Sequence, residues 1–192
     1  EILGKGWPKI FQPDYTEVIT QIAREKPDAI YSSLWGGDLV SFIDQASLYG
    51  IFNNTQLFAI NLADYTTMSA VKNLPKGLHS ATRYVAAWPN TQDNRDYDNS
   101  YTNLYGDHPT NWSWEAAVGI DYLISALKET GGTDNNKLAE AMKGKTRKSF
   151  MGVGDKNSVS IRDYDQTIID YSIAWGTAIP NNPYIKDIEA AD

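Results

Sequence analysis

The stretch from Ser33 to Gly36 is the part of this sequence best suited to holding a small ligand. It follows the apolar run Ala29–Tyr31 and precedes Asp38, which is a good residue to start a helix. Backbone N–H groups at a helix start can bind an anionic group, and the indole of Trp35 offers a flat apolar surface. We therefore predict a ligand site; the alternative is an ordinary tight turn between a strand and a helix. The predicted site residues are Ser33, Leu34, Trp35 and Gly36.

Two polar residues follow the next apolar run in the same way. Asn61 and Asp64 come after Leu57–Ile60, which reads as a buried strand. Ligands of open α/β sheets bind beyond the carboxyl ends of the strands, so we expect both residues to face the same crevice as the Trp35 turn. For Asp64 the alternative is to cap the helix that follows, and this is the better-supported role.

The titratable residues show no pattern that is typical of catalysis or metal binding. His79 and His108 are far apart and have no partner at ligand spacing. The aspartates between residues 93 and 98 lack the glycine that a calcium loop needs. Asp163 and Asp165 share a face simply because alternate residues of an extended segment do. We predict no catalytic residue, no metal site and no cofactor.

The composition argues against several classes of protein. A net charge of -7 over 192 residues argues against nucleic-acid binding, which normally shows as a basic patch. No stretch approaches the ~20 apolar residues that span a bilayer. The chain has no cysteine, which excludes disulfides, cysteine zinc sites and thiol catalysis. What remains is an ordinary globular chain, long enough for one large domain or parts of two.

The elements that position these residues alternate between helix and strand through residue 87. Asp14 opens a helix, residues 28–34 form a strand, and Asp38 caps a second helix that ends at Gly50. The apolar face of that second helix is formed by Leu39, Phe42, Ile43 and Ala46. Strands at residues 57–60 and 79–87 flank a short helix from Tyr65. This order predicts an α/β sheet with right-handed crossovers.

The rest of the sequence is predicted to be helical and then rich in strands. We expect helices around residues 97–105, from Ser113 through Leu127, and from Asp134 through Met142. Residues 150–152 and 159–161 flank a turn and indicate a hairpin. Residues 168–178 read as one long strand, and the tail after Pro180 is expected to be frayed.

Several of these segments resemble the type I periplasmic solute-binding proteins of ABC transporters, in the branched-chain amino acid and amide group. The first similarity joins Asp14-Tyr15-Thr16, Pro27-Asp28-Ala29-Ile30 and the segment Gln45–Gly50, which ends a helix. The second is the helical segment His108–Gly144. The third joins Ser149–Gly152 and Ile161–Gln166, which look like the closing segment of that family.

The resemblance implies two Rossmann-like lobes that close on a solute about a hinge. It places residues 1–88 in the second lobe, 89–162 in a returning segment of the first, and 163–192 in the crossing back to the second. It further implies an importer component, not an enzyme, in the periplasm or as a cell-surface lipoprotein, with a signal peptide in the precursor. The implied partners are a small polar or amino-acid-like solute and an ABC permease. An enzyme or a ligand-sensing domain on the same scaffold is the alternative.

The mapping also carries expectations about ligand contacts and about uncovered surfaces. The Trp35 turn corresponds to an aromatic wall, and Asn61 stands where amino-acid binders often hold a carboxylate. The helices bearing Trp114, Val118 and Leu123, and Tyr97, Tyr101 and Tyr105, should cover a first-lobe sheet that is absent. We therefore expect the chain to associate with its missing lobe or with itself, and to bind solute weakly alone.

Overall fold

The computed structural model describes residues 1–82, 84–86, 88, 90–148, 158–164, 168–170, 173–178 and 185–191. The chain divides into two compact units. The first unit combines Glu1–Thr82 with Ala174–Glu189, and the second combines Arg83–Ile173 with Ala190–Asp192. The lobe boundaries inferred above, at residues 88 and 162, stay predictions.

Helices and strands alternate in the first part of the chain, as the sequence pattern predicts. In chain order the elements are α1 Thr16–Glu25, β1 Ala29–Ser32, α2 Gly36–Leu48, β2 Gln56–Ala59, α3 Tyr65–Ala70, β3 Leu78–Thr82, α4 Gln92–Tyr105, α5 Asn111–Thr130, α6 Asn135–Met142, β4 Thr146–Lys148, β5 Ser158–Ile161, β6 Ile168–Asp170, β7 Ile173–Ala178 and β8 Ile185–Ala191. A 3-10 turn, Ile51–Asn53, links α2 to β2.

The larger sheet is built mainly from the first unit. Its strand order is β1-β2-β3-β7-β8, with β1, β2 and β3 parallel and β7 antiparallel to β3. Tyr31 pairs with Phe58, and Phe58 pairs with His79, so these side chains form one row across the sheet. Parallel pairing requires crossover helices, and α2 and α3 supply them.

The apolar face predicted for α2 is confirmed. Leu39, Phe42, Ile43 and Ala46 are all buried, because their spacing puts them on one side of the helix. The ring of Phe42 meets Tyr15 edge-on at 5.8 Å between centroids and Phe52 at 6.5 Å. This packing fixes the rotation of α2 about its own axis, and with it the direction in which the helix presents its first turn.

The starts of two helices and the end of the chain differ from the prediction. Helix α2 begins at Gly36 with Trp35 at the N-cap, so Asp38 lies in the first turn and does not cap it. Helix α5 is capped by Thr110, and Ser113 completes the capping box from the third position. The tail after Pro180 is not frayed throughout, because Ile185–Ala191 forms β8 and hydrogen-bonds to β7.

The strand predictions near the end of the chain are only partly matched. Residues 168–178 are not one strand: β6 belongs to the smaller sheet, and β7 belongs to the larger one. The first arm of the predicted hairpin, at residues 150–152, lies outside the described residues. Within them, β5 pairs antiparallel with β4 and with β6. Strand β3 ends at Thr82, and residues 83 and 87 of its predicted extension also lie outside the described part.

The second unit buries the face of α5 that we assigned to an absent sheet. Trp114 and Val118 join Tyr84, Tyr122, Val159 and Ile161 in its core, and Tyr97 packs against that cluster. The resemblance predicts that the apolar faces of α4 and α5 need cover from an absent lobe. That expectation is wrong for Trp114, Val118 and Tyr97. Leu123 and Tyr105 are exposed, as are Trp112, Ile120 and Ile124.

The buried hydroxyl of Tyr122 should stabilise the second unit. It donates towards the carbonyl oxygen of Lys145, at 3.1 Å, and towards that of Val159. These contacts connect α5 to the starts of β4 and β5. Tyr122→Phe should lower the free energy of unfolding by about 1 kcal/mol, since the ring stays but the bond is lost. Urea unfolding measures this. Tyr105→Phe, at an exposed position, is the control. Equal effects of the two substitutions would contradict the role given to Tyr122.

Candidate functional site

The turn between β1 and α2 projects Trp35 outward. The hydroxyl oxygen of Ser32 accepts a hydrogen bond from the N–H of Leu34 at 3.2 Å, which tightens the chain as it leaves β1. Trp35 then takes an extended conformation, with φ -145° and ψ 162°, and 58% of it is exposed. The turn thus presents a large aromatic surface to solvent, where the sequence predicts a ligand wall.

Gly36 makes the start of α2 possible. Its φ of +53° lies in the left-handed region, and apart from its chain neighbours and the backbone of its own helix, no atom lies within 4 Å of the position that a Cβ would occupy. The left-handed conformation, rather than lack of space, therefore favours glycine here. The indole of Trp35 has no acceptor, and no side chain caps the first N–H groups of the helix. Such uncapped N–H groups can donate to a polar ligand atom. Ser33 is exposed beside them.

The second predicted pair of residues follows the neighbouring strand. The N–H of Ile60 donates to the carbonyl oxygen of Ser32 at 3.4 Å, so the ends of β1 and β2 are adjacent. Asn61 is half-buried just beyond this bond. The N–H of Ala63 donates to the hydroxyl of the fully buried Ser80 at 2.7 Å, which fastens the segment to β3. The structure thus places Asn61 on the same sheet edge as the Trp35 turn.

Asp64 is buried and occupies the N-cap position of α3, as the alternative reading of the sequence holds. Its carboxylate does not accept from a backbone N–H of the helix, however. It accepts from the hydroxyl of Thr66, while its carbonyl oxygen accepts from the N–H groups of Thr67 and Met68 at 3.0 Å. The carboxylate is therefore a local structural anchor at the edge of the candidate site.

Sequence reasoning missed the segment that precedes α1. The N–H of Phe11 donates to Asp38 Oδ2 at 3.0 Å. Gln45 accepts from the N–H of Tyr15 at 2.9 Å and donates to the carbonyl oxygen of Pro13 at 3.0 Å. Residues 11–15 therefore run alongside α2. Phe11 lies next to the first turn of α2, beside the candidate site. Bonds that join residues about 30 positions apart leave no periodic signal in the sequence.

Two ionisable groups of this segment have shifted pKa values. Burial raises the pKa of Tyr15 to about 12, and the nearby Asp38 carboxylate adds to the effect. The hydroxyl and the N–H of Thr16 donate to Asp14 and lower the pKa of that carboxyl group. Asp14 therefore stays ionised at the start of α1, where negative charge is favourable.

The described residues hold no group of three or more acidic or histidine side chains placed to bind a metal ion. The ring of His79 stacks on Phe58 at 4.7 Å between centroids, and His108 Nδ1 lies 2.7 Å from Asp98 Oδ1. Within the same described part, no helix has the length and apolar character to span a membrane.

A family model described as periplasmic binding protein matches residues 1–173. The chain belongs to the periplasmic binding protein family. The match confirms the resemblance and the fold class predicted from the sequence. This family consists of binding proteins, in agreement with the expectation that the chain is not an enzyme. No curated protein sequence matches the chain.

Solved structures share the fold of this periplasmic binding protein chain at low sequence identity. An amino acid ABC transporter substrate-binding protein from Pseudomonas fluorescens Pf-5 superposes with a TM-score of 0.77 at 18% identity, over 100% of this chain and 52% of its own. A solute-binding protein from Rhodopseudomonas palustris BisB5, in complex with 3,4-dihydroxybenzoic acid, superposes with a TM-score of 0.74 at 22% identity. The match covers 91% of this chain and 50% of that protein. The isoleucine complex of a branched-chain amino acid transporter substrate-binding protein from Streptococcus pneumoniae superposes with a TM-score of 0.78 at 13% identity. The match covers 95% of this chain and 49% of that protein. The chain thus spans about half the length of the solved proteins that it matches.

Gly36 and its neighbour Gly37 give a matched test of the turn. Gly36→Ala should lower the free energy of unfolding by about 1 kcal/mol, because a Cβ is strained at positive φ. Gly37→Ala should be neutral or stabilising, because alanine favours a helix and the position has open space. Urea unfolding of both variants measures this. Equal losses would contradict the geometry given for Gly36.

The raised pKa of Tyr15 predicts that stability falls at high pH. A folded pKa of about 12, above the ordinary value of 10.0, means that the folded state holds the phenolic proton more tightly. The contribution of protonated Tyr15 to the free energy of unfolding is complete below pH 10 and is lost as the pH rises towards 12. Unfolding by urea between pH 8 and pH 11.5 should show the decline, and Tyr15→Phe should reduce its slope. The exposed Tyr31→Phe should leave the slope unchanged; identical slopes in all three proteins would refute the assignment.

Proposed function

We propose that this chain is part of the extracytoplasmic solute-binding component of an ABC importer. Its solute is a small polar or amino-acid-like molecule with an apolar or aromatic part. The observation that carries this proposal is the exposed Trp35 at the carboxyl edge of a parallel sheet, in a chain of the periplasmic binding protein family. Ligands of such sheets bind at this edge.

The residues of the turn suggest a division of roles. Trp35 and Leu34 supply apolar contact, while the N–H of Gly36 and the hydroxyl of Ser33 bind a polar or anionic group. Asn61 offers both a donor and an acceptor. The Asp64 carboxylate at the same edge would favour a solute that also carries an ammonium group. The relatives solved with isoleucine and with 3,4-dihydroxybenzoic acid hold solutes that join a carboxylate to an aliphatic or an aromatic body. A solute of this design suits the residues proposed here.

Capture of the solute by hinge closure completes the proposal. The matched proteins are about twice as long as this chain, so we propose that a further part of the protein forms the opposite wall of the cleft. Closure would remove the solute from water between the two walls. The expected partner of the closed form is an ABC permease, and the expected location is the periplasm or the outer cell surface. Alone, the 192-residue chain should bind only weakly.

Replacement of Trp35 tests the proposed site. Trp35→Ala should weaken binding by ~1.5–3 kcal/mol, about ten- to a hundredfold, because the solute loses its largest apolar contact. Calorimetric titration with benzoate, 3,4-dihydroxybenzoate, leucine and isoleucine measures this. Trp112→Ala is a matched control, since Trp112 is equally exposed at 57% but lies on α5 in the second unit. If Trp35→Ala leaves every affinity unchanged, Trp35 is structural and the proposed site is wrong.

A further inference from the structure

Phe11 combines two properties that are costly for a phenylalanine. Its φ of +61° lies in the left-handed region, where bulky side chains are rare. Its side chain is also exposed, at 83%, so burial of the ring does not compensate for the strain. A strained residue that gains nothing from packing is a reason to look for a role in binding.

The turn around Phe11 is held in place from several sides. The N–H of Gln12 donates to the carbonyl oxygen of Lys9 at 3.2 Å, and the N–H of Lys9 donates to Gln12 Oε1 at 2.8 Å. Phe11 is the third residue of this turn, a position at which a positive φ usually requires glycine. The bond from its own N–H to Asp38 Oδ2 then ties the turn to α2. The strain at Phe11 is thus maintained by specific bonds.

The bond to Asp38 places Phe11 at the candidate site. Asp38 is three residues beyond Trp35, in the first turn of the helix that Trp35 caps. Two exposed aromatic residues therefore border the start of α2, one on each of two segments that meet there. Among the described residues, neither Phe11 nor Trp35 contacts another aromatic ring. Both rings are therefore free to stack on a third, and such aromatic contacts favour offset or edge-to-face geometry.

We propose that Phe11 is a second aromatic wall of the solute site and that it selects solutes carrying an aromatic ring over branched aliphatic ones. Asp38 acts as its positioning residue. This inference rests on the proposed function, because it requires that the site beside Trp35 binds a solute. It adds a specificity determinant from a segment that the sequence did not single out.

Glycine and alanine at position 11 separate a binding role from a structural one. Phe11→Ala and Phe11→Gly should each weaken benzoate binding at least about tenfold and leucine binding less than about threefold. Phe11→Tyr should retain the preference for benzoate. Phe11→Gly should also keep or raise the urea midpoint, because glycine relieves the strain at positive φ. Ile10→Gly, at the preceding exposed position of the same turn, should lower the midpoint and leave the preference unchanged.

The outcomes distinguish this inference from the proposed function. If Trp35→Ala weakens binding but the Phe11 variants keep the wild-type ratio of benzoate to leucine affinity, the inference fails and the proposed function stands. If Phe11→Gly lowers the urea midpoint as much as Ile10→Gly does, Phe11 is structural and the inference fails. If Trp35→Ala leaves every affinity unchanged, there is no solute site beside Trp35, and both the proposed function and the inference are overturned. Asp38→Ala should reproduce the loss of preference, whereas Asp38→Asn should keep it, since an amide oxygen still accepts from Phe11.

Discussion

Parallel pairing of the first three strands is the constraint on which the site depends. Because β1, β2 and β3 run in one direction, their carboxyl ends meet at one edge. The hydrogen bond from the N–H of Ile60 to the carbonyl oxygen of Ser32 holds the carboxyl ends of β1 and β2 next to each other. The Trp35 turn and Asn61 therefore share an edge although Trp35 and Asn61 are 26 positions apart in the sequence. Antiparallel pairing would have sent consecutive exits to opposite edges.

Burial of one face of α2 determines where the polar residues on its other face lie. Leu39, Phe42, Ile43 and Ala46 fix its rotation, so its polar residues must face the remaining directions. Two of these residues, Asp38 and Gln45, then bind the backbone of residues 11–15. A packed helix thus organises the loop before α1 as well as the turn that starts it. Protein interiors transmit such constraints because they are close-packed.

The sequence predicts what depends on local periodicity and misses what depends on distant partners. Residue spacing alone predicts the buried face of α2 and the alternation of helix and strand. It also predicts the end of α2 at Gly50, which takes the left-handed conformation. Strand β8 forms because β7 supplies its hydrogen bonds, and the run 168–178 divides because its two parts join different sheets. The site residues Ser33–Gly36 and Asn61 could be placed on one edge from the sequence. Phe11 could not, since its position depends on a bond to Asp38 across 27 residues.

The start of α2 can be observed directly while solute is added. In the chain labelled with 15N-glycine, benzoate or leucine at millimolar concentration should move the amide signals of Gly36 and Gly37. Both signals should follow one binding curve, while those of Gly131 and Gly132, at the end of α5, stay fixed. This experiment detects weak binding and reports on the atoms proposed to hold the solute. Movement confined to other glycines, with Gly36 and Gly37 unchanged, would show that the solute binds elsewhere and that the start of α2 is not its site.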